Sequence, residues 1–593
     1  MNFIKQIKQE IKLIISTKFL MILACLLLIL SLINPFWNDI LTRVIFGKQF
    51  YENEVITMVV DGVTITNENP MYNRIEDVNY LTKELEINSK IYTTDENVRK
   101  KIFELLDEYK AFYVKTSQTV TDYLDYRIEL AELYPIFVGT QRLLQASESE
   151  RRILRSALEV VNPFFYMGDA EFNAEYVNIT TAQRAELIAR NAKRIQDSEL
   201  IFSNKDTPES FELFIDLLLD RETEKITSTQ KLIEELNREI IQHPASEPVN
   251  SEIITSYENE IQMIESRKEI LMYRREKKIN ESDPSDWRNN ALSDIQYNRS
   301  RIMFEGEILN EEEFRKQRHL VDRYETYLNY TQSIRDLVNS FTNNISIAQH
   351  SLDADMPDMK YNQNGARALV HTFVIEGNIV YLFAVLLGGW AIASEHQSGT
   401  IRLLLIRPKT RTKILISKYL SALIFCFFIY LVSIILCMIM SGIKTGFGDY
   451  LYPIYSVSGQ SNFFIILVGR IIVCFLPILF MLTFSFMLSV IMKNIALSLI
   501  LPYGLNVLSS PLLLGRSTNS IFAFTPLKYF SFAEAFSMNS NIIVVDYVTS
   551  SMFGDYANRV PMNVGLGACV LLVYTAISLL ISIWLFNKQD IQN

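Results

Sequence analysis

A chain of 593 residues, 49% of them hydrophobic and with a formal net charge of -10, has room for more than one domain. The charge is unevenly spread: residues 38–366 carry about 39 basic and 59 acidic side chains, a net of about -20, which leaves the remainder at about +10. The acidic part is therefore excluded as a nucleic-acid module, whose phosphate-binding surface needs the opposite sign. Cys25, Cys426, Cys437, Cys474 and Cys569 all fall in apolar segments, so the polar part has neither a disulfide framework nor a zinc-ligand spacing.

At the N-terminus, Ile4, Ile7, Ile11 and Ile14 recur at helical spacing with lysines on the other side, the pattern of a helix over residues 1–16 lying in a membrane interface. The apolar stretch Phe19–Trp37 follows. Its exit reads Leu32-Ile33-Asn34-Pro35-Phe36-Trp37, with no small-x-small cleavage site and with an aromatic anchor, so it is expected to remain as a first membrane span.

Residues 38–366 are polar and read as a mostly helical domain. Asp61-Gly62, between the Val-rich runs of Ile56–Thr66, predicts a two-residue β-hairpin turn. Further on, Ile226, Ile233, Leu236 and Ile240 fit a coiled-coil a/d seam that resumes, after the breaker His243–Pro248, at Ile254, Tyr257, Ile261, Ile264 and Leu271. Two antiparallel helices joined by a proline-bounded turn are expected. A third long helix is predicted from an N-cap at Asn310 with Glu313 three residues on, its stripe running Phe314, Val321, Tyr324, Leu328, Leu337, Phe341 and Ile345.

Residues 367–593 contain the apolar stretches Gly377–Ala393, Leu420–Met440, Ile471–Met492, Ile495–Leu514 and Val564–Phe586, each near the roughly 20 residues a bilayer requires. With Phe19–Trp37 they make six predicted spans. Lys5, Lys8, Lys12 and Lys18 precede the first; Arg402, Arg407, Lys409, Arg411, Lys413 and Lys418 follow the second; Lys493 and Lys588 mark the remaining ends on that side. The positive-inside rule then puts both termini and the loop 394–413 in the cytoplasm and residues 38–366 outside. The expected fold class is an all-α polytopic membrane protein with a helical extracytoplasmic domain carrying a helical hairpin. Pro477, Pro502 and Gly504 are expected to kink or break their spans, and together with the intramembrane charges Glu376 and Arg470 they are the candidate pathway residues. Glu376 and Arg470 lie near the predicted outer ends of their spans, where their opposite signs would permit a pair.

No Walker A loop, HExxH or Gly-x-Ser-x-Gly elbow occurs, so no catalytic residue, metal site or cofactor is expected in this chain. The loop 394–413 is the most informative segment. It ends a span with a carboxylate, turns at a glycine, lays down a short apolar helix and stops at a proline before a basic re-entry. The pattern formed by Glu395, Gly399, Thr400, Leu404, Leu405, Pro408, Arg411 and Lys418 resembles the loop after the second span of ABC-2 type transporter permeases.

That resemblance covers residues 1–16 and about the last 220, including the segment 515–562 with Thr525-Pro526-Leu527-Lys528-Tyr529-Phe530. It implies a coupling helix seated in a separate ABC ATP-binding subunit, present in two copies and carrying the ATP and Mg. It further implies a second permease subunit, identical or homologous, in a bacterial cytoplasmic membrane, and export of a peptide, lipid or antimicrobial-type substrate. The large polar domain departs from the compact members of that family. The alternative is a non-transporting receptor or secretion-system scaffold that displays this domain.

Overall fold

The computed structural model describes residues 3–37, 55–88, 92–162, 172–203, 207–242, 247–281, 283, 285–324, 326–376, 378–400, 410–456, 459–512, 524–536 and 563–588. The chain divides into two compact units, Met1–Gly47 with Phe304–Asn593, and Lys48–Met303. Among the described residues nearly all regular structure is helical, with two small two-stranded sheets.

The first unit begins with α1 (Phe3–Ser16), which extended backbone at Thr17 separates from α2 (Lys18–Ile33). The predicted span ran to Trp37, but the α-helix stops at Ile33 and a 3-10 turn, Asn34–Phe36, follows. Pro35 has no N–H to continue the α-helical ladder. Lys444 fixes this turn, donating from Nζ to the Pro35 carbonyl at 2.7 Å and lying over the Phe36 ring.

The second unit opens with the antiparallel hairpin β1 (Thr57–Val60) and β2 (Val63–Thr66), turned at Asp61 and Gly62, both at positive φ, as the Asp-Gly pair predicts. Val60 and Ile65 bury one face of it in a helical core. That core is built by α3 (Tyr72–Ile87), α4 (Glu96–Ser117), α5 (Arg127–Gln145) and α6 (Glu148–Val161), around Ile75, Ile102, Leu105, Leu143 and Leu158. Asp95 caps α4 through the amide of Asn97, and a Ser147–Glu150 capping box starts α6.

α7 (Thr181–Ser203), α8 (Pro208–Gln242), α9 (Glu247–Lys277) and α10 (Trp287–Glu305) complete the unit. Arg275–Asp216 (3.0 Å) and Arg267–Glu222 (3.7 Å) join the end of α9 to the start of α8, so the two run antiparallel as the expected hairpin. Near its base Phe214, Leu217, Leu218 and Leu271 are buried. Farther out Ile226, Ile233, Leu236, Ile240, Ile254, Tyr257 and Ile261 are only half-buried. The turn residues 243–246 lie outside the described set.

The first unit resumes with a correction. Asn310 and Glu313 do form the predicted capping box, but the single helix expected from there is three: α11 (Glu311–Lys316), α12 (Arg318–Tyr324) and α13 (Tyr327–Ala354). Thr326, in extended backbone, starts α13 afresh by accepting from the amide of Asn329. The restart shifts the helical register, so Leu328 is 76% exposed whereas Phe314 packs on Tyr327 and Tyr330.

Then come α14 (Ala366–Glu376), α15 (Asn378–Gln397), α16 (Arg411–Thr445), a 3-10 turn (Phe447–Leu451), the hairpin β3 (Ile454–Ser456) and β4 (Gly459–Ser461), α17 (Phe463–Met492), α18 (Ile495–Leu512), α19 (Ala533–Phe536) and α20 (Val564–Lys588). Among the described residues five stretches are long and apolar enough to cross a membrane: Lys18–Phe36, Ala366–Gln397, Arg411–Thr445, Phe463–Met492 and Val564–Lys588. Among the described residues Ile495–Leu505 is a shorter apolar helix. Ile22, Phe428, Ile465, Ile472 and Leu580 are more than half exposed on these helices, a surface compatible with a multi-pass membrane protein.

Between the apolar helices the packing is close. A Cβ on Gly388 of α15 would lie 2.3 Å from the Leu482 carbonyl of α17, so only glycine permits this approach. One turn along, Ser485 Oγ lies within hydrogen-bond reach of the Val385 and Ser498 carbonyls, holding α15, α17 and α18 together.

Candidate functional site

The residues singled out around the loop 394–413 converge on one buried cation. Lys418 sits two turns into α16 and is 5% exposed. Its Nζ donates to Glu395 Oε1 at 3.0 Å, near the end of α15, and to Glu10 Oε2 at 3.0 Å, on α1. An ammonium this buried is tolerable only with anionic partners. Here it has two, drawn from helices far apart in sequence.

Glu395 is itself held by the turn that ends α15. The Ser398 amide donates to the Ser394 carbonyl, Gly399 takes φ +73 and its amide donates to His396, and this brings the Thr400 hydroxyl onto Glu395 Oε2. The left-handed conformation explains the glycine. Glu395, Gly399, Thr400 and Lys418 are thus assembled in one place. Arg411, at the start of α16, donates to the Asn587 carbonyl at 3.3 Å, while Thr412 Oγ1 bonds the Asn587 side chain. Leu404, Leu405 and Pro408 lie outside the described residues.

Along the isoleucine stripe of α1, Ile14 is 5% exposed, Ile7 and Ile11 are half-buried and Ile4 is 61% exposed. Its inner residues meet α16, where Ser421 Oγ also approaches the Ile7 carbonyl at 3.3 Å. Sequence reasoning missed Glu10. The signal was present, since Glu10 is the only acid among the lysines of residues 3–16.

The candidate pathway residues behave differently. Glu376 is exposed at the end of α14, and no ion pair joins it to Arg470 among the described residues. Arg470 lies over the Phe536 ring, with Nη1 buried and without a hydrogen-bond partner. Neither proline breaks its helix: α17 runs through Pro477 and α18 through Pro502, and Gly504 is likewise inside α18.

A second buried charge, unremarked in the sequence, lies past the other end of α16. Arg367 at the start of α14 is fully buried against Asp449. Its amide donates to Asp449 Oδ2 at 2.7 Å, Nη2 to Asp449 Oδ1 at 3.2 Å and to the Pro357 carbonyl at 2.6 Å, and Nη1 to the Pro453 carbonyl at 2.6 Å. Asn362 Nδ2 also donates to Asp449. Seven hydrogen bonds among Pro357, Asn362, Arg367, Asp449, Tyr452 and Pro453 close this cluster.

Residues 347–592 match a family model described as a protein of unknown function, DUF2705. The chain is also similar to the uncharacterized protein YhcI of Bacillus subtilis (strain 168), 28% identical over 225 residues, which is 36% of this chain and 64% of that protein. The chain thus spans less than two thirds of the length of that relative. No solved structure matches.

Proposed function

We propose that this chain is the membrane-spanning permease subunit of an ATP-driven transporter, coupled to two copies of a separate ATP-binding subunit and paired with a second permease subunit. Six spans cross a bacterial cytoplasmic membrane with both termini inside, Ile495–Leu512 supplying the fifth, and the polar unit lies outside. Export of a peptide, lipid or antimicrobial-type substrate is the direction and cargo the reading carries. ATP and Mg belong to the partner.

The observation that supports this best is the Glu10–Lys418–Glu395 cluster. The segment 401–409, where the ATP-binding subunit would press, is flanked on one side by the turn holding Thr400 against Glu395 and on the other by the start of α16. Through Lys418 a displacement of that segment reaches α1, α15 and α16 together. A ligand that binds the two resulting states differently is then moved by the cycle.

The test is co-purification with an ATP-binding subunit encoded beside this chain. The double substitution Leu404→Asp with Leu405→Asp is expected to abolish the association while leaving the chain inserted. Retained association and activity would place the interface elsewhere. If no ATP-binding protein associates with the wild-type chain at all, the receptor or scaffold reading takes its place.

A further inference from the structure

The hairpin that opens the second unit has an open edge along β1. Val60 pairs with Val63 across the two-residue turn and Met58 with Ile65, and the ladder continues where the Asn67 amide donates to the Ile56 carbonyl at 2.9 Å. In an antiparallel pair the residues between these, Thr57 and Val59, turn their N–H and C=O groups away from the neighbouring strand. Among the described residues no group meets them there. The β2 side is partly occupied, since the Thr66 carbonyl accepts from the Asn69 amide at 2.9 Å and the Tyr123 hydroxyl reaches the Asn67 carbonyl at 3.4 Å.

An open strand edge is normally guarded by a lysine, a proline or a bulge. Residues 55–60, Val-Ile-Thr-Met-Val-Val, contain no charge and no proline, and the register with β2 runs without a bulge. Val55, Ile56 and Val59 are 53%, 54% and 71% exposed. Alternation puts Ile56 on the same face as the buried Val60, so its exposure means that the helical core beneath the hairpin stops short of this edge. A further strand has room to lie alongside.

The sequence of the edge selects the occupant. With a second copy placed antiparallel about a two-fold axis at Thr57, Thr57 faces Thr57, Val55 faces Val59 and Ile56 faces Met58. The outward N–H and C=O groups of each strand then meet their complements on the other, and the cross-strand pairs are β-branched or apolar without a charge among them. A foreign strand would match this pattern only by coincidence of sequence, whereas a second copy matches it by symmetry.

We propose that the β1 edge is an interface between two copies of this chain, which join there as an antiparallel four-stranded sheet. The contact requires no ATP-binding partner, so it stands or falls separately from the transport reading.

The experiment uses the full chain in detergent micelles, oxidised with diamide and followed as covalent dimer on a denaturing gel. Thr57→Cys is expected to cross-link, because the paired Cα atoms would lie about 5.5 Å apart, inside the roughly 4.4–6.8 Å that a disulfide spans. Wild type reports whatever the five native cysteines contribute. Thr64→Cys, also exposed but on β2, is expected to stay at the wild-type level, since three strand spacings of about 4.8 Å would separate the two copies of that residue. Adding Val59→Lys to the Thr57→Cys chain guards the edge and is expected to cut the dimer yield about tenfold; Val59 is exposed enough that the lysine leaves the hairpin folded. No dimer from Thr57→Cys, an equal yield from Thr64→Cys, a yield unmoved by Val59→Lys, or cross-linking of Thr57→Cys only to a different protein overturns the proposal.

Discussion

Two buried cations, Lys418 on α16 and Arg367 on α14 against the turn that follows α16, are handled in opposite ways. Arg367 is enclosed by one carboxylate and a ring of carbonyls, its planar fork matched to fixed acceptors on neighbouring connections. Lys418 is a point charge between two carboxylates on separate helices, each 15% exposed, so the cluster keeps access to water. The first arrangement has a single satisfactory geometry. The second can lose either carboxylate and still leave an ion pair, which suits the moving joint proposed above.

That contrast makes its sharpest claim at Arg367. Arg367→Leu leaves Asp449 buried without its countercharge and is expected to cost about 3–5 kcal/mol, read as lost thermal stability of the detergent-purified chain. Lys418→Met is expected to cost less, about 2–3 kcal/mol, because Glu10 and Glu395 can recover hydration. If the lysine variant melts below the arginine variant, the ranking of the two ends is reversed and the comparison fails.

Smaller effects separate the two carboxylates. Glu10→Gln preserves the Lys418–Glu395 pair and is expected to cost about 1 kcal/mol, with faster amide exchange confined to Phe3–Ser16. Unchanged exchange there would mean that α1 is held by its isoleucines alone. Thr400→Ala removes only a hydroxyl from Glu395 and is expected to cost about 0.5–1 kcal/mol. Its diagnostic is exchange at Ser398 and Gly399, where protection should fall while the melting curve barely moves.

Features set by local chemistry were readable before the structure. The Asn310 capping box and the Asp61-Gly62 turn depend on neighbours within a few residues and appear where expected, as do the two antiparallel helices on either side of residues 243–246. The restart at Thr326 was not readable, since the apolar stripe continues across it and only the Phe314–Tyr330 packing reveals the change of register. The site was half legible. Glu395, Gly399, Thr400 and Lys418 fall within one short stretch, whereas Glu10 and the Arg367–Asp449 pair are joined across sequence separations that no periodicity encodes.

At about 1.5 Å per residue, the stretch of α16 from Lys418 to Thr445 measures about 40 Å. A bilayer with its headgroup layers is about 40–45 Å thick. In the proposed topology this helix is a gauge, graduated at one end by Lys418 and at the other by Lys444 and the Asp449 turn. A thinner bilayer would press hydrocarbon against one of these polar marks or tilt the rod between them. Because the Arg367 end is locked, the adjustment would fall on the Lys418 end, and lipid thickness would act on the same joint as the proposed nucleotide-driven stroke.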